Sequence, residues 1–158
     1  DGHMTNLGAA SGIVAGLVAI TPAAGYVSGM APIAIGLAAG IICCYAVRLK
    51  AKAGYDDALD VVGVHFVGGL VGSLLIGVFA NPAFFGGDWE PGLLYDGGLT
   101  LFLEQALANG AAIVWSFIVT FAIVKALDAT MGVRVSEETE YEGLDLAEHG
   151  ETAYHDAA

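Results

Sequence analysis

Positive charge is scarce in this sequence. Arg48, Lys50, Lys52, Lys125 and Arg134 are its five basic residues among 158, and the formal net charge is -12. That balance excludes a nucleic-acid partner, whose phosphates demand basic surface. Charge of either sign is thin as well, at 14% of residues against about 25% in ordinary soluble domains. From Met4 to Val47 no residue is charged, whereas a membrane-crossing helix needs only about 20 apolar residues. The acids are unevenly spread, with nine of the 17 at or beyond Asp128. The acidity therefore belongs to a solvated tail, and what precedes it reads as membrane protein.

Other absences narrow the chemistry. The two cysteines, Cys43 and Cys44, are adjacent in an apolar run. Neighbours on a helix point about 100° apart, so they read as small packing residues rather than a disulfide. No metal-ligand spacing, nucleotide-binding loop, nucleophile elbow or pair of catalytic carboxylates occurs. No enzyme, metal or cofactor is expected. His149 and His155 lie in the acidic tail and read as solvated. The first residue is Asp rather than Met, and the expectation is a piece of a longer protein.

What is present organises into spans. The stretch Thr21-Pro22-Ala-Ala-Gly25-Tyr26-Val-Ser28-Gly29-Met-Ala-Pro32 breaks the uncharged run. It leaves one span near Leu7–Ile20, so short for a bilayer that its end is expected to reach into the Thr21-Pro22 turn, and a second near Pro32–Val47. Arg48 to Asp57 reads as a polar loop. A third span covers about Val61–Ala80, then Asn81–Gly98 forms a loop, and a fourth span runs from Leu101 or Gln105 to Leu127. The domain reading is a membrane part over 1–127 and an acidic tail over 128–158. Four alternating spans put all five basic residues on one side, which the positive-inside rule makes cytoplasmic, so the C-terminus is expected inside. Phe84, Phe85, Trp89 and Tyr95 then supply an outer aromatic belt. Gly8, Gly12 and Gly16, Gly36 and Gly40, and Gly68 and Gly72 recur at a spacing of four. Small residues in that pattern let helix backbones approach closely, so the expected fold is all-α, a polytopic membrane helical bundle.

Within the third span one residue stands apart. From Val61 to Gly87, His65 is the only group that titrates near neutral pH. An ionised side chain at the bilayer centre costs about 2.5–3.5 kcal/mol on insertion scales, so a histidine there faces protein or a water-filled path. On an α-helix Val61, His65, Gly68 and Gly72 share one face, which suits a narrow apolar passage with one hydrogen-bonding group. The alternative is a histidine that donates to a neighbouring carbonyl and locks packing. Asp60, with Asp56 and Asp57, lies at the start of this helix, where carboxylates favour the macrodipole and cap free amides. Thr21 caps exposed backbone or lines a vestibule. Glu104 and Asn109 read as interfacial or interhelical polar contacts, and Trp115 as a packing or lipid-facing side chain.

Three segments carry a family resemblance. Asp56-Asp57-Ala-Leu-Asp60-Val-Val-Gly63-Val-His65-Phe-Val-Gly68-Gly69 resembles the tenth membrane helix of the ammonium transporter family (Amt/Mep/Rh). Gly12-Ile-Val-Ala-Gly16-Leu-Val-Ala-Ile-Thr21-Pro22-Ala-Ala-Gly25-Tyr26-Val is similar to its eighth helix and the turn after it. Gly132-Val-Arg134-Val-Ser-Glu137-Glu138, Glu142-Gly-Leu-Asp145 and His149-Gly-Glu-Thr-Ala-Tyr154 resemble its cytosolic tail. The resemblance implies an eleven-helix fold built from two inverted repeats, of which this chain holds helices eight to eleven plus the tail. It implies a homotrimer with one pore per subunit in the plasma membrane. It makes His65 the second of two histidines that hold ammonia or ammonium in that pore, with Val14, Thr21 and Val61 at pore-lining positions and Asp60 as a structural acid. The first histidine belongs to the N-terminal part of the same transporter. The tail would dock on a neighbouring subunit and meet a small nitrogen-regulatory protein. Phe66 departs from the pattern, replacing the glycine common after the histidine. The leading expectation is a C-terminal fragment of an ammonium transmembrane transporter; the alternatives are a membrane ammonium sensor or regulatory subunit without transport, and an inert truncated membrane protein.

Overall fold

The computed structural model describes residues 3–152; Tyr154 and His155 of the tail lie outside them. The described residues are helical apart from turns and one isolated bridge. Four helical stretches are long and apolar enough to cross a membrane: α1 (Asn6–Ala23), α2 (Ala31–Ala53), a third of two windings, and α5 (Thr100–Met131). The third begins as a π-helix over Val61–Phe66 and continues as α3 over Val67–Phe79. A short α4 (Pro82–Phe85) and a 3-10 turn (Leu93–Tyr95) follow, and α6 (Glu137–Glu142) and α7 (Leu144–Ala147) lie in the tail. The chain divides into two compact units, residues 1–112 and 113–158.

In the first unit the ends of α1 and α2 are written locally. The Thr5 side chain caps α1 by accepting from the Gly8 amide at 3.0 Å, satisfying one of the orphan donors at a helix start. α1 does not stop at Ile20; it runs on into the Thr21-Pro22 turn and ends at Ala23, with Pro22 in its last turn. Pro22 gives up one helical hydrogen bond, the one its N–H would make to the carbonyl four residues earlier, and no further turn of α1 follows it. Nor is Arg48–Asp57 a loop throughout. α2 continues through Arg48, Lys50 and Lys52 and stops at Gly54, whose φ of 70° is the left-handed cap that glycine adopts freely. The cations thus occupy the last turns of a helix, where they complement the carbonyl end of its dipole.

Packing runs along seams of small residues. Ala15, Ala19 and Ala23 of α1 and Ala31, Ile35, Ala39 and Cys43 of α2 are buried at a spacing of four. In α1 this alanine seam replaces the expected glycine seam, for nothing lies within 4 Å of a Cβ built on Gly12. Gly16 alone of that set approaches α2, its Cβ position 3.9 Å from the Gly36 Cα. On α3 the glycines do pack. A Cβ on Gly72 would lie 1.9 Å from the Ala19 carbonyl oxygen, and one on Gly77 would lie 2.4 Å from the Phe102 Cα. A polar clasp joins α3 to the start of α5. The Ser73 hydroxyl donates to Gln105 Oε1 at 3.0 Å, and Asn109 Nδ2 donates to the Ser73 hydroxyl at 2.9 Å.

At the far end from the cations, the turn between α1 and α2 is tied to the segment after α3. Val27 bridges Ala80, the Asn81 amide donates to the Tyr26 carbonyl at 2.8 Å, and Asn81 Nδ2 donates to the Ser28 hydroxyl at 2.9 Å. The Trp89 ring meets Tyr26 edge-on at 5.6 Å between centroids, a favoured aromatic geometry. In the second unit, Phe117 stacks on Phe121 and Lys125 Nζ lies 5.9 Å from the Phe121 ring. Beyond α5, Ser136 caps α6 by accepting from the Thr139 amide at 3.2 Å.

Candidate functional site

The local winding around His65 differs from a regular α-helix. Over Val61–Phe66 the chain is a π-helix, with about one more residue per turn than the α form, a winding found mostly as short insertions at functional sites. The Val67 amide reaches back to the Val62 carbonyl, five residues earlier. The expected single face of Val61, His65, Gly68 and Gly72 is split by this change. His65 and Val61 are exposed, whereas Gly68 and Gly72 are buried. A Cβ on Gly68 would touch Val18 and Cys43, and one on Gly72 would overlap α1. The extra residue in the π turn rotates the histidine away from the seam that packs α3 on α1.

Three acids precede this segment, and Asp57 and Asp60 have distinct tasks. The Asp57 carboxylate accepts from the amides of Val61 at 2.7 Å, Val62 at 3.0 Å and Gly63 at 3.3 Å. It is the cap, satisfying three of the orphan donors at the helix start. Asp60 occupies the N-cap position with φ 55° and ψ 31°, a left-handed conformation that Asp tolerates better than most L residues. Its carboxylate forms an ion pair with Lys50 of α2. The same ammonium donates to the Asp57 carbonyl at 2.8 Å. Sequence reasoning took Lys50 for a loop cation and missed this partnership, although Gly54, a C-cap signal, marked where α2 would end.

The other expected site residues lie on α1. Thr21 is exposed, and its hydroxyl donates to the Leu17 carbonyl at 2.6 Å, the back-bonding available to a helical threonine. Val14 is 38% exposed and Val61 51%. Thus His65, Val61, Val14 and Thr21 all stand outside the buried core of the first unit. Among the described residues no side chain hydrogen-bonds to His65. A crevice of about 460 Å³ between α1, α2 and the π segment is lined by residues including Ser11, Cys44, Arg48 and Asp60. His65, Val61, Val14 and Thr21 are absent from its walls, so that crevice is not the expected path. No cluster of metal-ligating side chains occurs among the described residues.

Comparison with known proteins accounts for the sequence as a whole. The family model described as Ammonium Transporter Family matches residues 1–154. An ammonium transporter of Mycobacterium tuberculosis (strain ATCC 25618 / H37Rv) is 49% identical over 158 residues, covering 98% of this chain and 33% of that protein. The crystal structure of Candida albicans Mep2 superposes with a TM-score of 0.79 at 35% identity, over 87% of this chain and 31% of that one. A structure titled Sensor Amt Protein gives a TM-score of 0.71 at 32% identity, over 87% and 33%. The chain spans about a third of the length of the curated relatives it matches. The matching family is one of transporters rather than enzymes, and the helical chain with its four long apolar helices matches a solved structure of that kind. This chain is an integral membrane protein and belongs to the ammonium transporter family.

Proposed function

We propose that these residues form the second-half wall of an ammonium-conducting pore, completed by the N-terminal part of the same transporter. One observation carries the reading. His65, the only ionisable side chain between Val61 and Gly87, stands exposed on a π segment beside a well-packed seam. A neutral imidazole both donates and accepts a hydrogen bond. It therefore holds ammonia on one nitrogen and a second histidine on the other. Ammonium sheds a proton to cross the apolar stretch as a small neutral species, and the imidazoles relay the proton. Val61, Val14 and Thr21 line the path, with Asp60 as a structural acid at the helix start. In the whole protein the membrane part comprises 1–127 and the cytosolic tail 128–158. The charge distribution supports a cytoplasmic C-terminus in the plasma membrane, because all five basic residues then face inward. The assembly is a homotrimer whose tail meets a nitrogen-regulatory protein.

The test is His65→Ala in the full-length transporter, reconstituted in proteoliposomes. Methylammonium flux or its coupling to protons changes; if neither does, the pore assignment fails. A second reading, a membrane sensor that binds ammonium without conducting it, draws on the likeness to the structure titled Sensor Amt Protein. Ammonium binding by the parent protein with no measurable flux favours that reading.

A further inference from the structure

We propose that Lys50 is a positioning residue for His65, holding the π segment in the one register that presents the imidazole; this rests on the reading of His65 as a pore residue. α2 follows the π segment at three successive levels. Cys43 Sγ donates to the Val64 carbonyl at 3.8 Å. Val47 packs on Gly63 so tightly that a Cβ there would lie 2.7 Å from Val47 Cγ2. Lys50 then reaches the two residues that start the winding, pairing with the Asp60 carboxylate and donating to the Asp57 carbonyl. Positions 43, 47 and 50 are one face of a helix, so a single edge of α2 grips residues 64, 63 and 60. His65 lies on the exposed side of the same segment.

Only the Lys50 level is directional. Packing at Gly63 and a weak thiol bond at Val64 restrain distance but not the conformation of the chain where the helix begins. That conformation is the left-handed turn at Asp60, which L residues adopt reluctantly. Lys50 ties the residue in that turn to the carbonyl three residues before it, and Asp57 caps the amides that follow. With the tie cut, Asp60 is free to return to the ordinary helical region. The π turn then loses its extra residue and closes as an α turn. One residue of register is about 100° of rotation, enough to exchange His65 for a neighbouring side chain. Lys50 bonds to Asp60 and Asp57, and its effect on His65 passes through them.

The test uses the full-length transporter in proteoliposomes, with Lys50→Met, Lys50→Arg and His65→Ala measured in parallel. For Lys50→Met the maximal methylammonium flux per folded molecule falls about tenfold, as misplacement of a functional group predicts, while KM stays within about twofold. The imidazole nitrogen resonances of His65 in the reconstituted protein shift in Lys50→Met. Both readouts return toward the parent in Lys50→Arg, which keeps the charge and the donors. A lysine that only stabilises the fold lowers the yield of folded protein and leaves the His65 resonances in place; that result overturns the proposal. If Lys50→Met does not fold, Asp60→Asn replaces the charged acceptor with a neutral, weaker one and moves both readouts in the same direction. Unchanged flux and proton coupling in His65→Ala refute the pore reading alone, since the resonance shift in Lys50→Met reports positioning independently of transport.

Discussion

Gly72 offers the sharpest test of the α1–α3 contact. A Cβ added there would lie 1.9 Å from the Ala19 carbonyl oxygen, 2.6 Å from its carbon and 2.8 Å from its Cα. Ordinary contact begins near 3.4 Å, so the shortfall is about 1.5 Å against backbone, not against a side chain that can rotate away. The two helices must part or tilt, and the seam of Ala19, Ala23 and Gly68 loosens with them. Overpacking of this kind costs about 1–3 kcal/mol, occasionally more, and rigid backbone on both sides puts it at the upper end. The better helix propensity of alanine offsets at most about 1 kcal/mol. Gly72→Ala is therefore expected to destabilise the full-length transporter by about 2 kcal/mol or more in equilibrium unfolding in mixed micelles. Gly16→Ala is the control. Its Cβ would meet only the Gly36 Cα at 3.9 Å, an ordinary contact, and the propensity gain of up to about 1 kcal/mol makes it neutral or stabilising. Equal stability of Gly72→Ala and the parent, within about 0.5 kcal/mol, refutes the close approach described for α1 and α3.

Two further outcomes follow from the charged groups. Asp57→Ala strips the cap from three amides and is expected to cost about 1–2 kcal/mol; hydrogen exchange at Val61, Val62 and Gly63 accelerates, and unchanged exchange at those amides contradicts the capping role. In the tail, the Arg134 guanidinium donates to Glu140 at 2.7 and 3.0 Å and holds that carboxyl below the usual glutamate range. A depressed folded-state pKa means the contact helps above the unfolded-state pKa and is lost as pH falls through the folded value. Arg134→Gln therefore raises the Glu140 pKa toward its ordinary value in a carboxyl-carbon NMR titration, and an unmoved titration curve rejects the pairing.

The spans were legible because uncharged length is a coarse signal that needs no knowledge of neighbours. The run from Met4 to Val47 holds two helices whichever residues pack. Boundaries failed where a local rule met a competing one. Arg48, Lys50 and Lys52 read as a loop because charge usually leaves the membrane, yet arginine and lysine are good helix formers and the helix ends only where Gly54 allows a left-handed cap. Pro22 reads as a break, and the helix absorbs it in the final turn. The glycine pattern pointed to close packing that holds at Gly68 and Gly72 but not at Gly12, Gly36 or Gly40, where an added Cβ meets nothing within 4 Å. Choosing alanine over glycine as the α1 seam required knowing which side of α1 meets α2 and α3, information that resides in the partners.

His65 shows the deeper limit of periodicity. Chemistry alone singled it out, because a titratable ring in an apolar helix is costly wherever it points. Its direction was another matter. The shared face with Gly68 and Gly72 assumed 3.6 residues per turn, and the chain winds more loosely there. No residue in Val61–Phe66 marks that winding; the sequence Val-Val-Gly-Val-His-Phe is as compatible with one helix form as another. The determinants lie before it and across from it: a left-handed aspartate, a second aspartate capping three amides, and a lysine from α2 joining them. In a regular α-helix the same histidine would sit nearer the seam that Gly68 and Gly72 bury, where α1 leaves no room for a ring. The π turn lets one short helix do two incompatible things: pack glycines against a neighbour and, a few residues earlier, hold an imidazole clear of that contact.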